Sequence, residues 1–341
     1  MKRRSFRFSQ SVVTYHFEAS IKDIPAKNDV AQTFIITDAH VFEAHQRVLK
    51  KYNCIVLHAG EQYKTQQTVD AIITQLLEMG ANRSALLVGV GGGVVTDITG
   101  YVASIYMRGI RFGFFPTSLL AMIDAAIGGK NGIDTGIYKN MVGTIRQPEF
   151  IAYDLQLLRS LPEVEWRNGF SEIIKHACIG DASLFRQLNT YSFAQYRKNK
   201  ALLQLLIHRN VLFKTKMVQA DELETGTRKL LNFGHTLGHA IENNYELSHG
   251  QAVSIGITFA CNLSEQITGF RQTLPVTELL NGYGLPTYAR FDSKKALAVM
   301  QKDKKMQQSG LQYILLQRIG KAKIYPLTLD EVAGVLHSFA T

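Results

Sequence analysis

Residues 84–104 read SALLVGVGGGVVTDITGYVAS. An apolar run enters three consecutive glycines at 91–93, and a helix-like pattern follows. Such a turn lets backbone N–H groups approach a pyrophosphate, and the N-terminus of the next helix favours the negative charge. The spacing departs from the common dinucleotide fingerprint G-x-G-x-x-G, because Val94 stands where the third glycine belongs. The stretch therefore also reads as a tight strand-to-helix turn. Asp97, one turn into the helix, is placed to cap that turn or to touch a ligand.

Neighbouring segments share this form. AQTFIITDAH (31–40), NCIVLHAGEQYK (53–64) and IRFGFFPTSLLAM (110–122) are each a buried strand ending in a polar or glycine-rich turn. A helical pattern is expected after each. This alternation predicts βαβ units and a parallel, Rossmann-like sheet. Ligands of such sheets bind beyond the carboxyl ends of the strands. Those ends supply Asp38, Glu61, Lys64, Gly91–Gly93, Thr117 and Ser118.

The texture changes after QPEFIAYD, near Asp154. Residues 157–179, 201–224, 230–246 and 253–269 all carry helical periodicity, and LQYILLQRIGKAKIYPL suggests a final hairpin. The expected architecture is an α/β domain over 1–154 and a mainly α-helical domain over 155–341, with an active site where the halves meet.

At 341 residues and 46% hydrophobic content, the chain can bury a large core. It has no apolar run of the roughly 18 residues that a membrane span needs. The basic N-terminus, MKRRSFRFSQSVVTYHFE, lacks an apolar stretch long enough for a signal peptide. Cys54, Cys178 and Cys261 are odd in number and widely spaced, which fits a reducing cytoplasm better than a disulfide framework. The net charge of +10 points to nucleic acid or an anionic substrate. The basic residues are scattered apart from KRR and KDKK, so a phosphorylated small molecule is favoured over nucleic acid.

Polar residues cluster at four further places. Arg108, Asp124, Lys130, Lys139, Asn140 and Arg146 interrupt apolar runs between 108 and 146, a density that favours an anion site. Glu172, Lys175 and His176 punctuate an apolar helix; a surface Glu–Lys pair is the ordinary reading, but Glu172 can also supply a metal carboxylate. Lys214, Glu224, Arg228 and Asn232 lead into NFGHTLGHAIENNYELSHG (232–250), which holds three of the chain's 10 histidines. His235 and His239 share a face if helical, the spacing by which zinc hydrolases present two ligands. His249 follows a polar break and is expected on a turn or at a helix start. Arg228, Asn232, His235 and His239 are spaced 4, 3 and 4, and line one face if the helix extends back that far. Whether all three histidines or only some bind metal is open at this level.

Taken together, GGGVVTDITGYVAS, RGIRFGFFPTSLLAMIDAAIGGKNGID, KNMVGTIRQP, LPEVEWRNGFSEIIKHACIGD, KTKMVQADELETGTRKLLNFGHTLGHAIE and SHGQAVSIG resemble the 3-dehydroquinate synthases, of the sugar phosphate cyclases. The resemblance spans roughly residues 55–320 in the family's order; the first fifty residues resemble it less. It implies a zinc or cobalt site of Glu172, His235 and His249, with His239 facing substrate instead. It implies Glu224 and His239 as a proton-handling pair, with Lys130 and Lys175 also catalytic. Arg108, Lys130, Asn140, Lys175, Lys214, Arg228, Asn232 and Lys304 or Lys305 would hold the substrate. NAD would meet Asp38, Glu61, Lys64, Gly92, Gly93, Asp97, Thr117, Ser118, Asp124 and Lys139. The implied reaction converts 3-deoxy-D-arabino-heptulosonate 7-phosphate to 3-dehydroquinate and phosphate, in a cytoplasmic homodimer of the shikimate pathway. Three positions depart from the usual pattern: Tyr138 in GIYKN replaces glycine, Val164 replaces arginine and Ser171 replaces alanine. Competing readings are a sister cyclase acting on sedoheptulose 7-phosphate or glucose 6-phosphate, and a metal-dependent glycerol or alcohol dehydrogenase. A basic nucleic-acid-binding module is a third, and it leaves Glu172, His235 and His249 without a role.

Overall fold

A computed structural model describes residues 2–23, 30–136, 138–242, 245–306 and 311–340, apart from the side chains of 2 and 302–306. The chain divides into two compact units, one of residues 1–166 and 207–223 and one of residues 167–206 and 224–341. The texture change at Asp154 falls inside the first, where Leu157 still packs into the sheet's core beside Ile35, Val88 and Phe115.

The first unit is built on a seven-stranded sheet. Its strands are β1 (Lys2–Arg7), β2 (Val12–Phe17), β3 (Thr33–Asp38), β4 (Asn53–Leu57), β5 (Leu86–Gly91), β6 (Arg111–Pro116) and, after a hairpin β7 (Lys130–Thr135) and β8 (Tyr138–Ile145), β9 (Phe150–Tyr153). Their order is β1-β2-β9-β6-β5-β3-β4, antiparallel only between β1 and β2. Helices α1 (Ala39–Leu49), α2 (Gln66–Glu78) and α3 (Gly93–Ile105) make the crossovers expected from the alternation. All six residues of β5 are buried, as its unbroken apolar run requires of a central parallel strand. The chain leaves β3 toward β4 on one side, and leaves β5 toward β6 on the other. The switch point lies between β3 and β5, so the ligand crevice opens beyond Asp38 and Gly91.

Two features were not expected. Residues 2–17, unassigned apart from their charge, form the β1–β2 hairpin. Its signal was a period of two, with Val13, Tyr15 and Phe17 inward. A regular helix was also expected after β6. Instead a short π-helical turn (Ala121–Ala125) meets Gly128 and Gly129 at φ 108° and 71°, which end it and lead into the β7–β8 hairpin. Glycine adopts that left-handed backbone without the Cβ clash other residues meet. Lys139 and Asn140 accordingly lie in a strand, β8, and not at a turn.

The helices of the second half are α4 (Glu163–Gly180), α5 (Ala182–Thr190), α6 (Phe193–Lys198), α7 (Lys200–Ala220), α8 (His235–Glu242), α9 (His249–Thr268), α10 (Thr273–Gly282) and α11 (Ser293–Met306). The hairpin β10 (Leu311–Arg318) and β11 (Lys321–Leu327), paired antiparallel as expected, and α12 (Leu329–Ala340) complete it. Helix α9 is buried on every side from Ala252 to Cys261 and packs in this unit's core. Ile255, Phe259 and Leu263 pack there with Leu311, Tyr313 and Leu315 of β10 and Val332 and Leu336 of α12. Helix α8 crosses α9 at backbone contact: a Cβ on Gly256 would stand 1.9 Å from the Gly234 carbonyl oxygen. No helix among the described residues is long and apolar enough to cross a membrane.

Candidate active site

In the first unit the residues beyond the strand ends converge. Asp38 caps α1, its carboxylate accepting from the Val41 amide at 3.0 Å. Gly92 is the N-cap of α3, and the Thr117 amide donates to Gly91 O at 2.9 Å. Lys64 is 3% exposed. Its ammonium lies 2.6 Å from Asp97 and 3.8 Å from Glu61, and donates to the Asn140 side chain. Burial raises Glu61 and Asp97 above ordinary carboxylates, although the Lys64 charge opposes it. Burial works against the Lys64 charge too, but Asp97 and Glu61 outweigh it and raise Lys64. Lys139 adds its field to Glu61. Ser118 is buried and takes the Ala121 amide at 3.1 Å. Asp124, on the π turn, is held by Lys214, which donates to its main-chain oxygen at 2.7 Å and pairs with its carboxylate at 2.6 Å.

The remaining basic residues differ in setting. Lys130 is exposed at the start of β7, and Arg108 is exposed on the turn after α3 at φ 67°. Arg146, counted above as part of an anion cluster, is engaged structurally: it donates to Ala103 O at 2.7 Å and stacks over Phe112. Lys304 and Lys305 end α11, and their side chains lie outside the described residues.

In the second unit Glu172 is fully buried on α4. One carboxylate oxygen, Oε1, lies 3.4 Å from His235 Nε2 and 3.3 Å from His249 Nε2. The other is paired with the Lys175 ammonium. Burial alone would raise this carboxyl, but Lys175 and the two imidazoles hold it well below the usual range. His235 is lowered, by burial and then by the nearby Lys175. His249 is pushed up to about 10: burial opposes its charge, but hydrogen bonds to Glu172 and Glu242 outweigh that. The Nδ1 atoms of both histidines face acceptors, the Phe233 carbonyl at 3.2 Å for His235 and the Glu242 carboxylate at 3.4 Å for His249. With a metal bound, an Nδ1–H on each ring would face these acceptors and leave both Nε2 lone pairs for the metal; without one, the raised His249 carries a proton on Nε2 and donates it to Glu172. Glu172, His235 and His249 thus bring three donor atoms within 4.8 Å of one another. Two imidazoles and a carboxylate are the donor set of a catalytic zinc site with an open position.

His239 stands outside this triad, its ring perpendicular to His235 at 5.2 Å. The single helical face expected from Arg228 to His239 does not form. Residues 227–232 are a 3-10 turn, and Gly234, at φ 80°, turns the chain so that α8 begins at His235. A different grouping results: Glu224, itself at φ 58°, accepts from Asn232 at 2.7 Å and has the buried Arg228 at 4.0 Å. Glu242 was missed at the sequence level. Its signal was present, since His235, His239 and Glu242 are spaced 4 and 3.

The chain carries a switch-point sheet in one unit and a Glu–His–His triad in the other, and its solved neighbours include sugar phosphate cyclases. Two solved cyclases share this fold. A 2-epi-5-epi-valiolone synthase from Streptomyces hygroscopicus subsp. jinggangensis 5008, with NAD+ and Zn2+ bound, aligns over 99% of both chains with TM-score 0.89 and 26% identity. A 2-deoxy-scyllo-inosose synthase, complexed with carbaglucose-6-phosphate, NAD+ and Co2+, aligns over 99% of this chain and 100% of its own, with TM-score 0.83 and 22% identity. Closer in sequence is a 3-dehydroquinate synthase of Halalkalibacterium halodurans, 36% identical over 92% of this chain and 94% of its own. Residues 54–168 match the 3-dehydroquinate synthase N-terminal family and residues 169–306 the C-terminal one. The chain belongs to the 3-dehydroquinate synthase family.

Proposed function

We propose that the protein is a carbon–oxygen lyase that converts 3-deoxy-D-arabino-heptulosonate 7-phosphate to 3-dehydroquinate and phosphate, using NAD and zinc or cobalt. The observation that carries this reading is the buried Glu172 carboxylate, shared by two imidazoles on one oxygen and by Lys175 on the other. Identity supports the synthase over its sister cyclases: 36% to a dehydroquinate synthase, against 26% and 22% to the two solved sisters.

Glu172, His235 and His249 hold the metal in this reading. When bound, NAD supplies a reversible two-electron oxidation and the metal a Lewis acid for the substrate's hydroxyls. Asp38, Glu61, Lys64, Gly92, Gly93, Asp97, Thr117, Ser118, Asp124 and Lys139 hold the nucleotide. Arg108, Lys130, Asn140, Lys175, Lys214, Arg228, Asn232 and one of Lys304 and Lys305 take the carboxylate, hydroxyls and phosphate of the substrate. His239 and Glu224 move protons. A proton leaves the carbon beside the transient ketone, its electron pair becomes the C=C bond, and the C–O bond to phosphate breaks. Glu224 suits this work, because Asn232 and Arg228 fix its carboxylate in place. Nucleotide binding by 1–154, metal and substrate binding by 155–341, a homodimer and a cytoplasmic location belong to the same proposal.

The test is phosphate release from the heptulosonate with catalytic NAD and zinc, read alongside absorbance at 340 nm. Phosphate without accumulating NADH, abolished by a chelator, is the expected result. Phosphate released only from sedoheptulose 7-phosphate would move the assignment to a sister cyclase, and steady NADH growth on small polyols to a dehydrogenase.

A further inference from the structure

Helix α9 begins with a residue of the triad. His249 is its first residue and Ser248 its N-cap, so the reach of His249 toward Glu172 depends on how this first turn is held. Both chain neighbours of His249 are bonded to one atom. The side-chain oxygen of Asn168, on α4, accepts from the Ser248 hydroxyl at 2.7 Å and from the Gly250 amide at 3.1 Å. Asn168 is 4% exposed, and it lies four residues before Glu172, on the same face of α4. With two donors converging on it, this atom is fixed as the amide oxygen.

The approach of the two helices is close. A Cβ added to Gly250 would stand 2.5 Å from Asn168 Cα and 3.1 Å from the Ser171 hydroxyl. Ser171, one of the departures from the family pattern, turns its hydroxyl back to donate to the Asn168 main-chain oxygen at 2.7 Å. A hydroxyl is thereby accommodated in a fully buried position, provided that residue 250 is glycine.

We infer that Asn168 is the positioning residue of the Glu172–His235–His249 triad, clamping the first turn of α9 onto α4 so that His249 Nε2 meets Glu172. Its side-chain oxygen acts through Ser248 and Gly250, the two chain neighbours of His249. The inference rests on the metal reading of the triad. Glu242 supports the far nitrogen of His249, whereas Asn168 holds its backbone, and the two contributions are separable by substitution.

Zinc affinity of the full-length chain, titrated against a chromophoric chelator, tests this. Asn168→Leu removes the acceptor and leaves the buried Gly250 amide and the partly buried Ser248 hydroxyl without it. The expected loss of zinc affinity is about 10–100-fold, the range for groups that orient metal ligands. Asn168→Asp keeps an acceptor in the same place and is expected to restore affinity to within about threefold of wild type. Ser248→Ala, which removes one of the two bonds, should fall between, and carries the test should the leucine variant not fold. A bond that served stability alone would lower the melting midpoint of Ser248→Ala and Asn168→Leu while zinc affinity stayed at the wild-type value, and that result overturns the inference. Wild-type protein that binds no zinc overturns the metal reading itself and this inference with it.

Discussion

Glu172 is a carboxylate held well below the usual range against the upward push of burial, because an ammonium and two imidazoles surround it. Removing a donor and removing a neighbour should therefore have different effects. His235→Ala is expected to abolish bound metal and turnover together, whereas His239→Ala keeps stoichiometric metal and slows turnover by about 10²–10⁴-fold, the range for a lost acid–base group. Metal analysis beside phosphate-release rates separates the two. A His239→Ala protein without metal, with His249→Ala still loaded, would mean that the triad is misassigned. The thiols form a second case at this scale. Burial pushes Cys54 up to about 11 and Cys178 up to about 12, and raises Cys261 well above the usual thiol value too. A raised thiol stays protonated at pH 8, so at most about one Cys54 in 1,000 is thiolate there. Ellman's reagent should label less than one thiol per native chain within minutes and all three after denaturation. Rapid labelling of the native protein would contradict this burial.

Elements bring these residues together through close backbone approaches. Helix α8 meets α9 where Gly234 and Gly256 leave no room for a side chain, and His235 thereby reaches His249 at a ring separation of 5.6 Å. Gly256→Ala forces that crossing apart and is expected to cost about 1–3 kcal/mol or more, as overpacking does. Thermal melting reads the loss, and an unchanged midpoint would mean that the crossing is loose. In the first unit the β7–β8 hairpin is tied to the Lys64 segment at two points: the Asp134 amide donates to Lys64 O at 2.8 Å, and Lys64 reaches the Asn140 side chain. Lys64→Met breaks the second tie and leaves Asp97 without its buried partner. NAD affinity should fall by about 30-fold or more, the scale of losing one member of a buried charge pair. Fluorescence titration with NADH measures it, and wild-type affinity would remove Lys64 from the nucleotide group.

Across the whole molecule, the nucleotide-type residues belong to one compact unit and the metal triad to the other. Their chemistries are therefore expected to be separable in solution. Stripping the metal with a chelator should stop phosphate release, and zinc or cobalt should restore it, with no growth at 340 nm at any stage. Turnover that survives exhaustive chelation, with metal analysis reading zero, would refute the metal's role. Lys64, Lys175, Lys214 and Arg228 are buried, each beside an acidic partner, so these four cations are not part of a nucleic-acid-binding surface.

Much of this was legible in the sequence, because adjacent residues encode it. The apolar runs ending at Asp38, Gly91 and Pro116 are strands, since their neighbours alternate with helical periods and glycine turns. The residue types at Glu172, His235 and His249 already limit the chemistry to that of carboxylate and imidazole donors. What the sequence could not carry was the meeting of distant groups. His249 finds Glu172 across 77 positions, and Asn168 finds Gly250 across 82, only because α9 packs on α4 without a side chain between them. The break at Gly234, which separates Arg228 from the histidine face, was equally hidden, because periodicity carries no information about a positive φ. Local sequence thus determined which elements form and which side chains could do chemistry. Tertiary packing alone decided which of those side chains share an oxygen, because backbone approach within van der Waals distance is a property of two elements and not of either sequence by itself.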